Sequence, residues 1–182
     1  MESNNIITKT FPKCLPFTIF ETKIDDKEMD KELIEIIDKR GDEQNHTSNV
    51  KAQMTSYDMK DEKPFKKLIS YMDKAIVSSC MDIYKTKPLL TFRDIWGMKY
   101  KSNEEAIPHN HFPAFFSCVY YVNVPEGCPG IVFTDCDIMK KPYNGLLLLF
   151  EGNINHHVPK VEYEGYRYVV AGNCYLKHFE RF

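Results

Sequence analysis

From residue 92 onward the chain changes period, and that change limits what it can fold into. Residues 92–100, 112–124, 130–135, 146–150 and 166–176 are short runs rich in aromatic and β-branched side chains, the composition of strands. Pro125-Glu126-Gly127, Cys128-Pro129-Gly130, Pro142-Tyr143-Asn144-Gly145 and Glu164-Gly165 separate them with turn chemistry. The first half reads differently. Over residues 25–40 the apolar Met29, Leu33, Ile36 and Ile37 recur at helical spacing behind an acidic start, and Lys39-Arg40-Gly41 closes the helix. A second helix is predicted from Pro64 to about residue 84, with Leu68, Met72, Ala75, Ile76, Ser79, Cys80 and Ile83 as its buried stripe. Residues 11–24 carry two prolines and read as an edge strand or an irregular lead-in, and residues 41–63 as polar loop with a short strand near 50–55. Helices first and many short strands after predict an α+β chain: a barrel or double-sheet jelly roll with helices packed on it. With 182 residues and no repeat or linker, a single domain over 1–182 is expected, residues 1–90 giving helical support and lead-in strands and 91–176 the core.

Charge and cysteine content exclude some function classes. Lysine and arginine total 24 against 26 acidic residues, a formal charge of -2, so no bulk attraction to nucleic acid is implied. The six cysteines, Cys14, Cys80, Cys118, Cys128, Cys136 and Cys174, form no C-x-x-C pair. Cys118 and Cys174 lie in apolar runs, where a thiol packs as a small core residue. The N-terminus has neither a basic region nor an apolar stretch, and no run approaches the roughly 18 apolar residues of a membrane span. Free thiols in a cytoplasm, and no membrane partner, are the expectation.

The chemistry concentrates in the histidines. His109-Asn110-His111 opens a strand-like run, and residues i and i+2 of a strand share a face, so His109 and His111 can bind one ion together. His156-His157 returns much later, followed by Arg167. Imidazole is the commonest transition-metal ligand, and three on one face leave the opposite positions open for chemistry. The order of two nitrogen ligands, a long return, a third ligand and then a cation predicts a catalytic iron.

The stretches HNHFPAFFSCVYYVNVPEGCPGIVF, GLLLLFEGNINHHVPK and GYRYVVAGN resemble the core of the 2-oxoglutarate- and Fe(II)-dependent oxygenases. They are most similar to the small phage and bacterial branch, with H-x-H, H-x-V and a following arginine. The resemblance covers about residues 92–176. It implies a double-stranded β-helix, a cupin-like jelly roll, in which His109, His111 and His156 are the metal ligands and catalytic centre. It implies also that Arg167 grips the far carboxylate of 2-oxoglutarate, bidentately as an arginine fork can, and that Tyr100 touches the same co-substrate. Fe(II), 2-oxoglutarate and O2 would then act together to hydroxylate a substrate, releasing succinate and CO2. If the chain is phage-encoded, the cytoplasm is the host's. His111 stands where most of the superfamily has a carboxylate, and the R-x-S pattern of several relatives is missing, since Tyr168-Val169 follow Arg167.

Other histidines and acids have plainer readings. His46 and His178 are ordinary surface or core residues, and His157 points away if His156 points in. Asp135 and Asp137 shape a turn, and Glu104-Glu105 form a solvated loop near the pocket mouth. H-N-H as a nuclease motif needs a following helix with another ligand, and here a strand-like run follows. Two alternatives to the main reading stay open: a non-catalytic jelly-roll binding module, and a three-histidine dioxygenase that uses no 2-oxoglutarate. A protein side chain, a nucleobase and a small metabolite all fit as substrate.

Overall fold

The computed structural model describes residues 7–10, 18–41, 48–85 and 87–177. Cys14, His46, His178 and the prolines of the lead-in lie outside them.

Helix α1 (Lys27–Arg40) starts where the acidic cluster predicts: the Asp26 carboxylate accepts the Met29 amide at 3.1 Å, and Lys39 and Arg40 close the last turn. Helix α2 (Lys63–Tyr84) has Pro64 in its first turn and ends at Lys85 in the left-handed region, φ 54°. Between them run β3 (Val50–Lys51), β4 (Gln53–Met54) and a short 3-10 helix (Met59–Asp61), within a segment expected to be mostly loop.

Two antiparallel sheets make up the rest. The larger contains β1 (Ile7–Thr10), β2 (Thr18–Lys23), β5 (Leu90–Tyr100), β7 (Phe116–Asn123), β10 (Leu146–Glu151) and β12 (Arg167–Leu176) together with β4, in the order β1-β2-β10-β7-β12-β5-β4. The smaller contains β6 (Glu105–His109), β8 (Ile131–Phe133), β9 (Ile138–Lys140) and β11 (His156–Val158) together with β3, in the order β3-β6-β11-β8-β9. From β5 to β12 the chain passes repeatedly between the two sheets, the topology of a double-stranded β-helix.

Burial follows from this layering. Cys118, Tyr120 and Val122 of β7 face α1 and α2 in one core, with Met29, Leu33, Phe65 and Met72. Their neighbours Val119 and Tyr121 face the second sheet, with Trp96, Phe133 and Phe150. A strand covered on both faces reads as an unbroken apolar run rather than an alternating one. One polar link crosses the helical core: the Tyr120 hydroxyl donates to Asp30 Oδ1 at 2.6 Å.

Three expectations need correction. Strand β2 is not an edge, because β1 covers one side and β10 the other. Glu105 begins β6 and pairs with Lys160 at 3.3 Å, so it is not part of a solvated loop. The run 112–124 loses its first residues: Phe112, Pro113, Ala114 and Phe115 form a turn, and β7 starts at Phe116.

Gly97 of β5 sits directly beneath α1, where a Cβ would fall on Ile37 Cγ1. Both flanking layers are packed, so a methyl group there has no space to enter. Gly97→Ala is expected to lower stability by about 1–3 kcal/mol through overpacking, read as a shifted urea midpoint with unchanged slope. An unshifted midpoint would mean that α1 is not seated on β5.

Candidate metal centre

The sheets bring His109, His111 and His156 together. His109 is the last residue of β6 and His156 the first of β11, and the two are direct cross-strand partners. Their rings lie 4.5 Å apart by centroid, and His111 lies 5.0 Å from each. One ligand atom from each of the three residues lies within 4.8 Å of the others, and among the described residues no acidic side chain belongs to the cluster.

The predicted cause of this juxtaposition is only half right. His111 is not two residues along the same strand, because β6 has already ended. It arrives through the turn after β6, which folds back onto β10. The His111 amide donates to Gly152 O at 2.7 Å, Ala114 N to His111 O at 2.8 Å, and Phe115 N to Cys174 O at 2.8 Å. A Cβ at Gly152 would strike the Ala114 carbonyl, so the turn docks this closely only on a glycine.

Asn155, which carries no motif signal, holds this corner together with Asp135 and Asn110. Asp135 Oδ2 accepts the Asn155 amide at 2.8 Å, and Asn155 Oδ1 accepts from the Asn110 side chain at 3.0 Å. The residue before His156 is thereby tied to the residue between His109 and His111. Asp135 thus belongs to the turn after β8, as its composition suggested, and to this relay. His157 stays out of the cluster.

Two of the imidazoles present a free ring nitrogen. Nδ1 of His109 lies 2.7 Å from Ile107 O, and Nδ1 of His156 lies 3.0 Å from Ile154 O. A carbonyl can only accept, so in each ring Nδ1 carries the proton and Nε2 keeps a free lone pair. Phe150 packs edge-on to His156 at 4.9 Å. Burial, and then the neighbouring imidazoles, push His111 down to about 3 and His156 to about 4. Burial also lowers His109. All three are therefore neutral near pH 7, so the donor set fits a transition-metal ion without first releasing protons.

That depression has a sign. Unfolded imidazoles titrate near 6.5, so the unfolded chain binds more protons between that pH and the folded values. The stability contributed by the neutral cluster is fully present above about 6.5 and is lost as pH falls toward 4 and then 3. The melting temperature of metal-free protein is expected to drop over this window, and to drop less in His111→Gln. Equal slopes in the two proteins would contradict the assigned burial.

Beyond the histidines an inner cavity of about 50 Å³ is lined by Trp96, Met98, Tyr100, Tyr121, Val169 and the three imidazoles. Arg167 lies behind its Tyr100 wall. Arg167 is 2% exposed, pairs with Tyr100 across β12 and β5, and stacks its guanidinium 4.1 Å from the centre of that ring. Nη1 donates to Pro129 O at 2.8 Å, Nε has no partner, and among the described residues no carboxylate pairs with it. Tyr100 is held up at about 12, chiefly by burial, and remains a neutral hydrogen-bond donor.

On the outer side a groove of about 360 Å³ opens beside the cluster, between Tyr57, Trp96, Asp94, Asn110 and Asn173. Cys80, Cys118, Cys128 and Cys174 are free thiols, with Cys118 and Cys174 fully buried as expected, and Cys136 Sγ donates to Phe133 O at 3.5 Å. Among the described residues no helix is long and apolar enough to cross a membrane.

No known family model matches the sequence, and no curated protein does. Solved structures do match in fold. A prolyl-4-hydroxylase from Pseudomonas putida is 14% identical with a TM-score of 0.67, covering 88% of this chain and 93% of that one. The viral collagen prolyl hydroxylase of Paramecium Bursaria Chlorella virus-1, in complex with 2-oxoglutarate, is 16% identical with a TM-score of 0.61, covering 85% and 94%. HygX from Streptomyces hygroscopicus, with nickel, 2-oxoglutarate and hygromycin B bound, is 9% identical with a TM-score of 0.63, covering 88% and 84%. The chain shares the double-stranded β-helix fold of these structures. Within it, the chain carries an all-histidine cluster suited to a transition metal.

Proposed function

We propose that the chain is a metal-dependent oxygenase in which His109, His111 and His156 hold one iron and Arg167 receives the carboxylate of an anionic co-substrate, 2-oxoglutarate. The observation that carries this is the arrangement of one cavity: three neutral imidazoles form part of its wall, and Tyr100, backed by Arg167, forms another part. A buried guanidinium without an acidic partner is costly to the fold, and an incoming carboxylate would relieve that cost with a bidentate, charge-assisted pair. Tyr100 would hydrogen-bond the same carboxylate through its neutral hydroxyl. The bound iron would supply oxygen activation, coupled to conversion of 2-oxoglutarate to succinate and CO2 and to hydroxylation of a substrate. The chain would orient the keto acid and the substrate and keep water from the reacting centre.

A second reading has its own support. Without a carboxylate ligand, the cluster leaves the ion's charge for a bound anion to neutralise. An acidic substrate bound directly to the metal would do that, with Arg167 as its counter-ion and no keto acid involved.

Oxygen uptake by the iron-loaded protein separates the two. Uptake that requires 2-oxoglutarate and yields succinate supports the first reading. Uptake on thiol or diketone substrates with no keto acid supports the second. A protein that binds no metal would be a jelly-roll binding module instead.

A further inference from the structure

Across the turn that carries His111 lies a second hollow that the oxygenase reading does not use. It measures about 480 Å³ and is lined by Phe112, Pro113, Phe115, Glu151 and Asn153, among others. Phe112 is 77% exposed and Phe115 39%. Both aromatic side chains therefore offer apolar surface to whatever enters the hollow. The wall is fixed in place: Phe115 packs edge-on to Phe116 at 4.8 Å, and Gly152 N donates to Phe115 O at 3.1 Å.

One carboxylate is set in this lining. Glu151, the last residue of β10, is half-buried, and among the described residues it has neither a hydrogen bond nor an ion pair through its side chain. Burial alone pushes its carboxyl up, with no donor or cation to offset it. A partly desolvated acid beside exposed ring faces suits a ligand with an apolar stem ending in a positive charge.

The surroundings select the kind of ligand. The groove beside the cluster, about 360 Å³, begins at Asn110 and His111, on the other side of the same turn. Its described lining contains Asp94 and no lysine or arginine, so neither hollow repels a cation. A small amine would fill only part of one hollow. The two linings meet at consecutive residues, His111 and Phe112, so one extended chain can engage both hollows.

We propose that the hollow around Glu151 binds a basic side chain of a polypeptide, with the Glu151 carboxylate meeting its charge and Phe112 and Phe115 covering its stem. A residue a few positions along that polypeptide then lies over the three-histidine cluster. The binding itself is independent of the metal chemistry; that the bound chain is the substrate rests on the oxygenase reading.

The test is a titration of the full, metal-free chain by amide NMR, using a capped pentapeptide of alanines with a central lysine. The expected result is saturable shifts at Phe112, Phe115, Gly152 and Asn153. A norleucine peptide should bind at least about fivefold more weakly, and so should the lysine peptide to Glu151→Gln, because the paired charge is gone. Phe112→Ala, a change at an exposed side chain, should weaken binding about threefold. Equal binding of the norleucine peptide, unchanged binding to Glu151→Gln, shifts confined to other surfaces, or no binding at all would each overturn the proposal. So would n-butylammonium binding as tightly as the lysine peptide, since a free amine would then suffice. Iron titrated into the same samples keeps the two claims apart: metal bound without peptide overturns this site alone, and peptide bound without metal overturns the oxygenase reading alone.

Discussion

His156→Ala is expected to abolish metal binding. His156 is 4% exposed, pairs directly with His109, and its ring lies 4.5 Å and 5.0 Å from the other two imidazoles. Loss of a residue that merely supports a ligand costs about 10–100-fold in metal affinity, so loss of this ligand should exceed 100-fold. The change also leaves a void against Phe150 and Phe133, worth about 2–4 kcal/mol of stability. Metal-free thermal unfolding measures that part separately, and His156→Gln, which keeps more of the volume, should lose the metal with less loss of stability. Metal retained at wild-type affinity in both variants would remove the cluster from the account.

Arg167→Met is expected to weaken 2-oxoglutarate binding strongly while leaving stability almost unchanged. The guanidinium is buried with no carboxylate partner among the described residues, and replacing a buried charge with an apolar side chain of similar length is often neutral or stabilising. Its stacking on Tyr100 is lost, a contribution of about 1–2 kcal/mol, so the melting temperature should stay near that of the unmodified chain. 2-Oxoglutarate binding should fall about 100-fold, the value of a charge-assisted bidentate pair of about 3 kcal/mol. Metal affinity in the absence of 2-oxoglutarate should not change. Calorimetric titration of the keto acid into iron-loaded protein under nitrogen reads the affinity. A variant that unfolds, or that binds 2-oxoglutarate normally, would show that Arg167 serves the fold.

Much of the fold is legible in the sequence where the local signals are strong. Asp26 and the acidic residues after it mark the start of α1 because a carboxylate can cap free amides there, and Pro64 marks the first turn of α2. β10 and β12 are apolar runs bounded by glycine turns, and they appear almost as read. The smaller sheet is harder to see. β8 falls within the predicted run 130–135, but β9 and β11 are three residues each, too short to show a period of two, and β6 is interrupted by Pro108.

The cluster is legible in composition but not in geometry. Same-face alternation places His111 beside His109 for the wrong reason, since the strand ends between them. What brings His111 in is the docking of its turn on Gly152. The Asp135–Asn155–Asn110 relay is likewise built from residues far apart in sequence. Such contacts leave no periodic trace. The glycine after β10 and the asparagine before His156 are the only local hints.

The most direct test of the account is an anaerobic titration of the purified protein with Fe(II) and then 2-oxoglutarate, followed in the visible range. The account predicts one iron per chain and a metal-to-ligand charge-transfer band that grows with the keto acid, is absent in His156→Ala and is weak in Arg167→Met. Iron bound with no band at saturating 2-oxoglutarate would contradict the proposed co-substrate, and no iron bound at all would contradict the metal centre itself.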